Sequence, residues 1–247
     1  MKNKLQLFLG RVIAIWALIW FVSTMFLFIW FYLLCFFLQE PYKTRWHRTV
    51  SKIWMGLFLT LVGCRFTIKG KHHFNNLGPA IVICNHNSLI DVPLSTPFLP
   101  RANKTIAKKS FIYVPLFGWI YQFGSVIVDR KNDQSRRASF EKMKHTLDKG
   151  LDMLIYPEGT RNKTSEPLKS FYDGAFKLAI ETQKPIIPVV LLNTKKVLPA
   201  YPIMCFKPGK IQMDILTPIP SEGHTVQSLK QTAFDIMSAH YKMNNPA

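Results

Sequence analysis

Ala80-Ile81-Val82-Ile83-Cys84-Asn85-His86-Asn87-Ser88-Leu89-Ile90-Asp91-Val92-Pro93 runs from an apolar, β-branched segment into a polar turn. Residues 80–84 read as a buried strand. Pro93 suits the first position of a following helix. His86 and Asp91 then stand at the mouth of a strand, where a base and its orienting partner belong. Their spacing alone decides nothing, because i and i+5 are not neighbours on a helix face. The pair meets only if the loop folds back on itself. The competing reading is a loop histidine with an aspartate capping the next helix.

The rest of the chain narrows the choice. Its 247 residues suit a catalytic domain with a small appendage, divided here at 1–63 and 64–247. Lysine and arginine number 32 against 14 aspartate and glutamate, a formal charge of +18. Such an excess points to an anionic partner: nucleic acid, an acidic membrane or a phosphorylated substrate. With 19 Phe, 6 Trp and a slightly positive mean hydropathy, the chain is greasy as well as basic. That combination favours anionic membrane lipids over nucleic acid, for which no aromatic-basic recognition motif is present. Cys35, Cys64, Cys84 and Cys205 form no CxxC pair, so a disulfide framework or zinc site is not expected.

Residues 12–38 carry no charge. As a helix they would extend about 40 Å, enough to cross a hydrocarbon core of about 30 Å. The run is too long for a signal peptide and lacks its cleavage site, so a retained membrane helix is expected. Residues 53–62 are apolar but too short to span; they read as an interfacial helix or one arm of a hairpin in a single leaflet. Basic residues flank both ends of the first helix, so its charge pattern gives no orientation.

Further on, strands are expected at 64–69, 105–107, 125–128, 153–156, 186–191 and 211–216. Pro188 suggests an edge strand or a bulge. Helices are expected at 134–149, from a cap at Asp173 to 183, and at 226–241. The alternation predicts an α/β fold with a mixed, partly parallel sheet flanked by helices, behind the membrane-embedded helix or hairpin. Four strand ends carry polar residues: His86 and Asp91; Lys108 and Lys109; Asp129 and Arg130; and residues 158–161. In such sheets, sites gather at the carboxyl ends of the strands.

Asn85-His86-Asn87-Ser88-Leu89-Ile90-Asp91 resembles the H-x4-D block of the glycerophosphate and lysophosphatidate acyltransferases. Gly124-Ser125-Val126-Ile127-Val128-Asp129-Arg130 resembles that family's second block, and Tyr156-Pro157-Glu158-Gly159-Thr160-Arg161 its third. Ile186-Ile187-Pro188-Val189 is similar to the fourth. The blocks fall in the family's order over most of residues 50–220. Asn87 stands where Gln is common and Tyr156 where Phe is usual.

The resemblance implies acyl transfer from acyl-CoA or acyl carrier protein to the hydroxyl of lysophosphatidate, giving phosphatidate at the cytoplasmic face of a membrane (the plasma membrane in a bacterium). No cofactor or metal is expected. His86 would take the hydroxyl proton, and Asp91 would orient it. Lys108, Arg130 and Arg161 would hold the acceptor phosphate. Glu158 would hydrogen-bond the acceptor or orient an arginine, and Gly159 and Thr160 would supply close backbone and hydroxyl donors. Ser88 is an alternative nucleophile, though no GxSxG elbow surrounds it. The rival functions are acylation of another lysophospholipid or a lyso-aminolipid, and non-catalytic binding to an anionic membrane.

Overall fold

The computed structural model describes residues 2–129 and 132–244. The chain opens with α1 (Lys2–Leu33), a short 3-10 turn (Leu34–Phe36) and α2 (Tyr42–Leu61). Then follow β1 (Arg65–Lys69), β2 (Ile81–Cys84), α3 (Asp91–Phe98), β3 (Asn103–Lys108), α4 (Phe117–Phe123) and β4 (Ser125–Val128). The remainder is α5 (Asp133–Asp148), β5 (Asp152–Ile155), α6 (Gly174–Thr182), β6 (Ile186–Leu192), α7 (Thr194–Val197), β7 (Lys210–Ile215) and α8 (Val226–Asn244).

The strands form one sheet in the order β1-β7-β6-β2-β5-β3-β4. From β6 to β4 all neighbours are parallel; β7 runs antiparallel to β6, and β1 parallels β7. The expected mixed sheet is present. β2 sits at its centre with every side chain buried, which is why its sequence is continuously apolar rather than alternating. Ile81 and Ile83 pack with Leu147 of α5, Phe176 of α6 and Met237 of α8. Val82 and Cys84 face the other way, with Ile187, Leu191 and Met213.

Pro188 is not on an edge. β6 is buried along its whole length and paired on both sides. The irregularity lies in the partner: Leu216 N–H donates to the Pro188 carbonyl, and Ile219 exchanges hydrogen bonds with Ile186. Three residue steps on that side thus face two on β6, a bulge where the amide-less proline falls. Asp173 precedes α6 but makes no capping hydrogen bond; its carboxylate pairs with Lys230 Nζ at 2.6 Å. α3 begins at Asp91, earlier than Pro93 suggests, and the proline occupies its first turn, where an N–H has no helical partner.

α1 and α2 pack antiparallel. Tyr32 Oη and Ser51 Oγ are 2.6 Å apart, Trp54 Nε1 donates to Thr24 Oγ1 at 2.9 Å, and the Phe21 and Phe58 rings lie 5.5 Å apart. α1 is long and apolar enough to cross a membrane. It also touches the α/β body along its length: the Gly10 carbonyl accepts from Phe206 N–H, Phe21 meets Phe117, and Phe36 beyond its end meets Trp119 and Phe123. Its opposite face leaves Phe8, Trp16, Phe26 and Trp30 exposed. α2 is the anchor between them. Glu40 just before it pairs with Lys104 at 2.6 Å, Arg48 Nε donates to the Leu99 carbonyl, and His47 Nε2 lies 3.0 Å from the Ile120 carbonyl. The His47 ring also fills the space beside Gly124, where a Cβ would sit 2.4 Å from it.

Candidate active site

Asn85, the first residue beyond β2, is fully buried. Its side chain replaces a strand: Nδ2 donates to the Leu191 carbonyl at 3.0 Å and Oδ1 accepts Leu191 N–H at 2.6 Å. The main chain is therefore free to turn at His86 without leaving β6 unpaired. The turn closes on Asp91. Its Oδ2 accepts Asn87 N–H and Ser88 N–H, each at 2.6 Å, and lies 2.9 Å from His86 Nδ1. The loop folds back as the dyad requires, and Asp91 binds the turn before it rather than capping α3.

The carboxylate can only accept, so Nδ1 carries the proton and donates. Nε2 is then the ring's lone-pair nitrogen. Asp91 is fully buried, whereas the His86 side chain retains 18% exposure. Behind the imidazole lies Tyr156, with ring centroids 4.5 Å apart. The Tyr156 hydroxyl is 2.6 Å from Ser95 Oγ, and Ser95 Oγ donates to the Asp91 carbonyl at 2.9 Å. Burial pushes the Tyr156 phenol well above its ordinary pKa, so it stays neutral beside the histidine.

β5 is the parallel neighbour of β2, and its turn grips the His86 backbone from both ends. Glu158 Oε1 accepts His86 N–H at 2.8 Å, and Asn162 N–H donates to the His86 carbonyl at 2.6 Å. Glu158 Oε2 accepts Lys169 N–H at 3.0 Å. Only 1% exposed, this carboxylate points inward onto amides. Burial lifts its pKa, partly countered by the two amide hydrogen bonds. Gly159 takes φ +69°, a turn conformation that disfavours a side chain. Thr160 is exposed, and its hydroxyl accepts from Lys169 Nζ at 2.7 Å. Arg161 is half-buried, and among the described residues its guanidinium makes no hydrogen bond or ion pair.

The parallel sheet thus brings His86, Asp91 and residues 158–161 together on adjacent strand ends. Lys108 is exposed at the end of β3, on the far side of β5 from His86. Arg130 lies outside the described residues. Ser88 is fully buried with its hydroxyl donating to the Leu198 carbonyl at 2.7 Å, a geometry of fastening rather than attack. Among the described residues, no cluster of three or more His, Cys, Asp or Glu has the geometry to hold a metal. Asn85 and Tyr156 stand inside the quoted blocks but gain their roles only here, while Ser95 and the amides of Asn162 and Lys169 join the site without a chemical motif to announce them. Only Ser95, four residues after Asp91, stands at a spacing that a helix would have revealed.

Comparison with known proteins gives a consistent result. The acyltransferase family model matches residues 65–192. A 1-acyl-sn-glycerol-3-phosphate acyltransferase of Cocos nucifera is 34% identical over 169 residues, 67% of this chain and 54% of that protein. The chain therefore spans about half the length of that relative. An uncharacterized acyltransferase of Schizosaccharomyces pombe is 31% identical over 199 residues, covering 79% of this chain and 70% of that one. The crystal structure of the 1-acyl-sn-glycerophosphate acyltransferase of Thermotoga maritima superposes with a TM-score of 0.80 over 96% of this chain and 98% of that chain. At 21% identity, that likeness concerns the fold.

Proposed function

The chain belongs to the acyltransferase family, and we propose that it transfers a fatty acyl group from acyl-CoA or acyl carrier protein to the free hydroxyl of 1-acylglycerol-3-phosphate, giving phosphatidate. One observation carries the reading. Asp91 Oδ2 accepts hydrogen bonds from His86 Nδ1–H and from two backbone amides, leaving Nε2 with its lone pair free to act as a base.

In this mechanism Nε2 removes the acceptor's hydroxyl proton as the oxygen attacks the thioester carbonyl. Asp91 stabilises the imidazolium. The tetrahedral intermediate then collapses, the C–S bond breaks, and the imidazolium returns its proton to the departing thiolate. No acyl-enzyme forms, in keeping with the buried, fastened Ser88. Arg161 receives the acceptor phosphate, with Arg130 and Lys108 as further cationic candidates. Gly159 and Thr160 bring the turn's backbone close to the phosphate, and Glu158 serves by holding that turn against His86. Residues 1–63 act as the membrane-associated hairpin and residues 64–247 as the catalytic domain. The contacts of α1 with the α/β body from Gly10 onward support a placement along one leaflet rather than a crossing, and we place that leaflet at the cytoplasmic face.

The test is an assay of the full chain in vesicles, with lysophosphatidate and each donor in turn. His86→Ala should lower the rate by about 10²- to 10⁴-fold, the usual worth of a general base. A fully active, membrane-bound variant would refute the mechanism. An acceptor lacking the phosphomonoester should react poorly; equal turnover would reassign the acceptor to another lysolipid.

A further inference from the structure

Tyr201-Pro202-Ile203-Met204 is apolar, yet none of it is buried: Tyr201 is 64% exposed, Ile203 68% and Met204 45%. Three large apolar side chains together at one loop tip form a patch that water alone does not stabilise. The tip is nevertheless held firmly. On one side the Leu198 carbonyl accepts the Ser88 hydroxyl, and Lys207 N–H donates to Val197. On the other, Phe206 N–H donates to the Gly10 carbonyl of α1 at 2.9 Å. That junction is tight, since a Cβ on Gly10 would lie 2.5 Å from Cys205 Sγ. The loop therefore continues the exposed apolar face of α1, whose nearest turns present Leu5, Phe8, Leu9 and Val12.

The charge along this connection has one sign. Residues 193–213, from the end of β6 into β7, contain four lysines (195, 196, 207 and 210) and no acidic residue. Lys163 adds another cation, its Nζ 5.1 Å from the Tyr201 ring centroid and 3.4 Å from its hydroxyl. An aromatic residue with a wet hydroxyl, aliphatic neighbours and a lysine rim is the composition of an interfacial anchor on anionic lipid.

We propose that residues 199–204 form a second membrane-insertion tip that seats in the headgroup layer of an anionic bilayer alongside α1. This rests on the reading of the chain as a membrane-bound acyltransferase. Because Leu198 is one hydrogen bond from the His86 turn, the tip fixes the height of the catalytic base above the lipid.

The experiment uses the full chain with Ile203→Cys, labelled with an environment-sensitive fluorophore; the native cysteines are all buried. A Phe8→Cys label on α1 serves as the reference. Vesicles contain phosphatidylcholine with or without phosphatidylglycerol, plus bromine-bearing lipids as quenchers. The label at 203 should shift to the blue and be quenched in anionic vesicles, and less so in neutral ones. Quenching at 8 with none at 203 would overturn the second tip while leaving the membrane reading intact. Quenching at neither site would overturn both. Equal quenching in neutral vesicles would overturn the anionic partner, and shielding that follows protein rather than lipid concentration would assign the tip to a second copy. As an independent readout, Tyr201→Ser with Ile203→Ser should lower activity on vesicle-borne lysophosphatidate several-fold and leave activity on a micellar short-chain acceptor unchanged. Equal losses on both would count against the proposal.

Discussion

The turns after β2 and β5 are parallel neighbours, and each buries one carboxylate, yet the two acids do different work. Asp91 places a side-chain ring and two amides on a single oxygen, Oδ2. Glu158 divides its oxygens between two amides, those of His86 and Lys169, and touches no side chain of the dyad. One carboxylate sets the tautomer of the His86 ring, and the other sets where the His86 backbone stands. The difference comes from which donors surround each acid, since both are buried and both follow a central strand.

Asp91→Asn is the strongest way to break this contrast. An amide can still accept from the turn, but it carries no charge to stabilise the imidazolium. It can also turn its NH2 toward Nδ1 and force the proton onto Nε2. Activity should fall by about 10³- to 10⁴-fold, as in other triads that lose this acid. A loss below tenfold, in a variant with normal membrane association, would mean that His86 does not depend on Asp91 for its proton.

Much of this arrangement was legible beforehand, for identifiable reasons. The strands at 81–84, 125–128 and 152–155 announce themselves through the apolar runs 81–84, 126–128 and 153–155, which a sheet covered on both faces demands. The His86–Asp91 and 156–161 segments stand out because polar residues follow those runs abruptly. The strand order does not follow from such signals. β5 slots between β2 and β3 although both precede it in the chain, and β6, with its proline, passes to the middle of the sheet. Both depend on which helix packs on which face, a matter of tertiary contact. The inward aim of Glu158 was equally hidden. It is set by the amide of Lys169, eleven residues away, and no local pattern marks that residue as a donor. The first segment was readable as apolar, but whether it crosses a bilayer turns on Gly10, Phe21 and Phe36 meeting the α/β body.

Glu158→Gln sharpens the contrast at a smaller scale. Glutamine keeps one acceptor, but its NH2 would oppose either the His86 or the Lys169 amide. Leaving one buried donor unmatched should cost about 1–3 kcal/mol of stability. If the carboxylate acts only by position, activity should drop about 10- to 100-fold through misplacement of His86. The pH dependence has a definite sign. Because burial raises the Glu158 pKa, the stability offered by its neutral form is complete below about pH 4.3 and fades as pH rises through the raised value. Glutamine does not titrate, so the unfolding midpoints of the two proteins should diverge as pH falls through the raised Glu158 pKa toward the ordinary glutamate range. Curves that stay parallel would place Glu158 in a wetter setting than its contacts describe.

Tyr156→Phe should have the least effect, and it tests where the two turns meet. The ring behind His86 remains, and Ser95 Oγ keeps its bond to the Asp91 carbonyl, so only the phenol's hydrogen bond is lost. That bond is worth about 0.5–1.5 kcal/mol of stability, and activity should change by less than about threefold. The expectation follows from the pattern of contacts: the hydroxyl reaches the Asp91 main chain through Ser95 and never reaches its carboxylate. If Tyr156→Phe instead cost as much activity as Glu158→Gln, the β5 turn would be tuning the dyad through this chain of hydroxyls. The division between an acid that serves the ring and an acid that serves the backbone would then no longer hold.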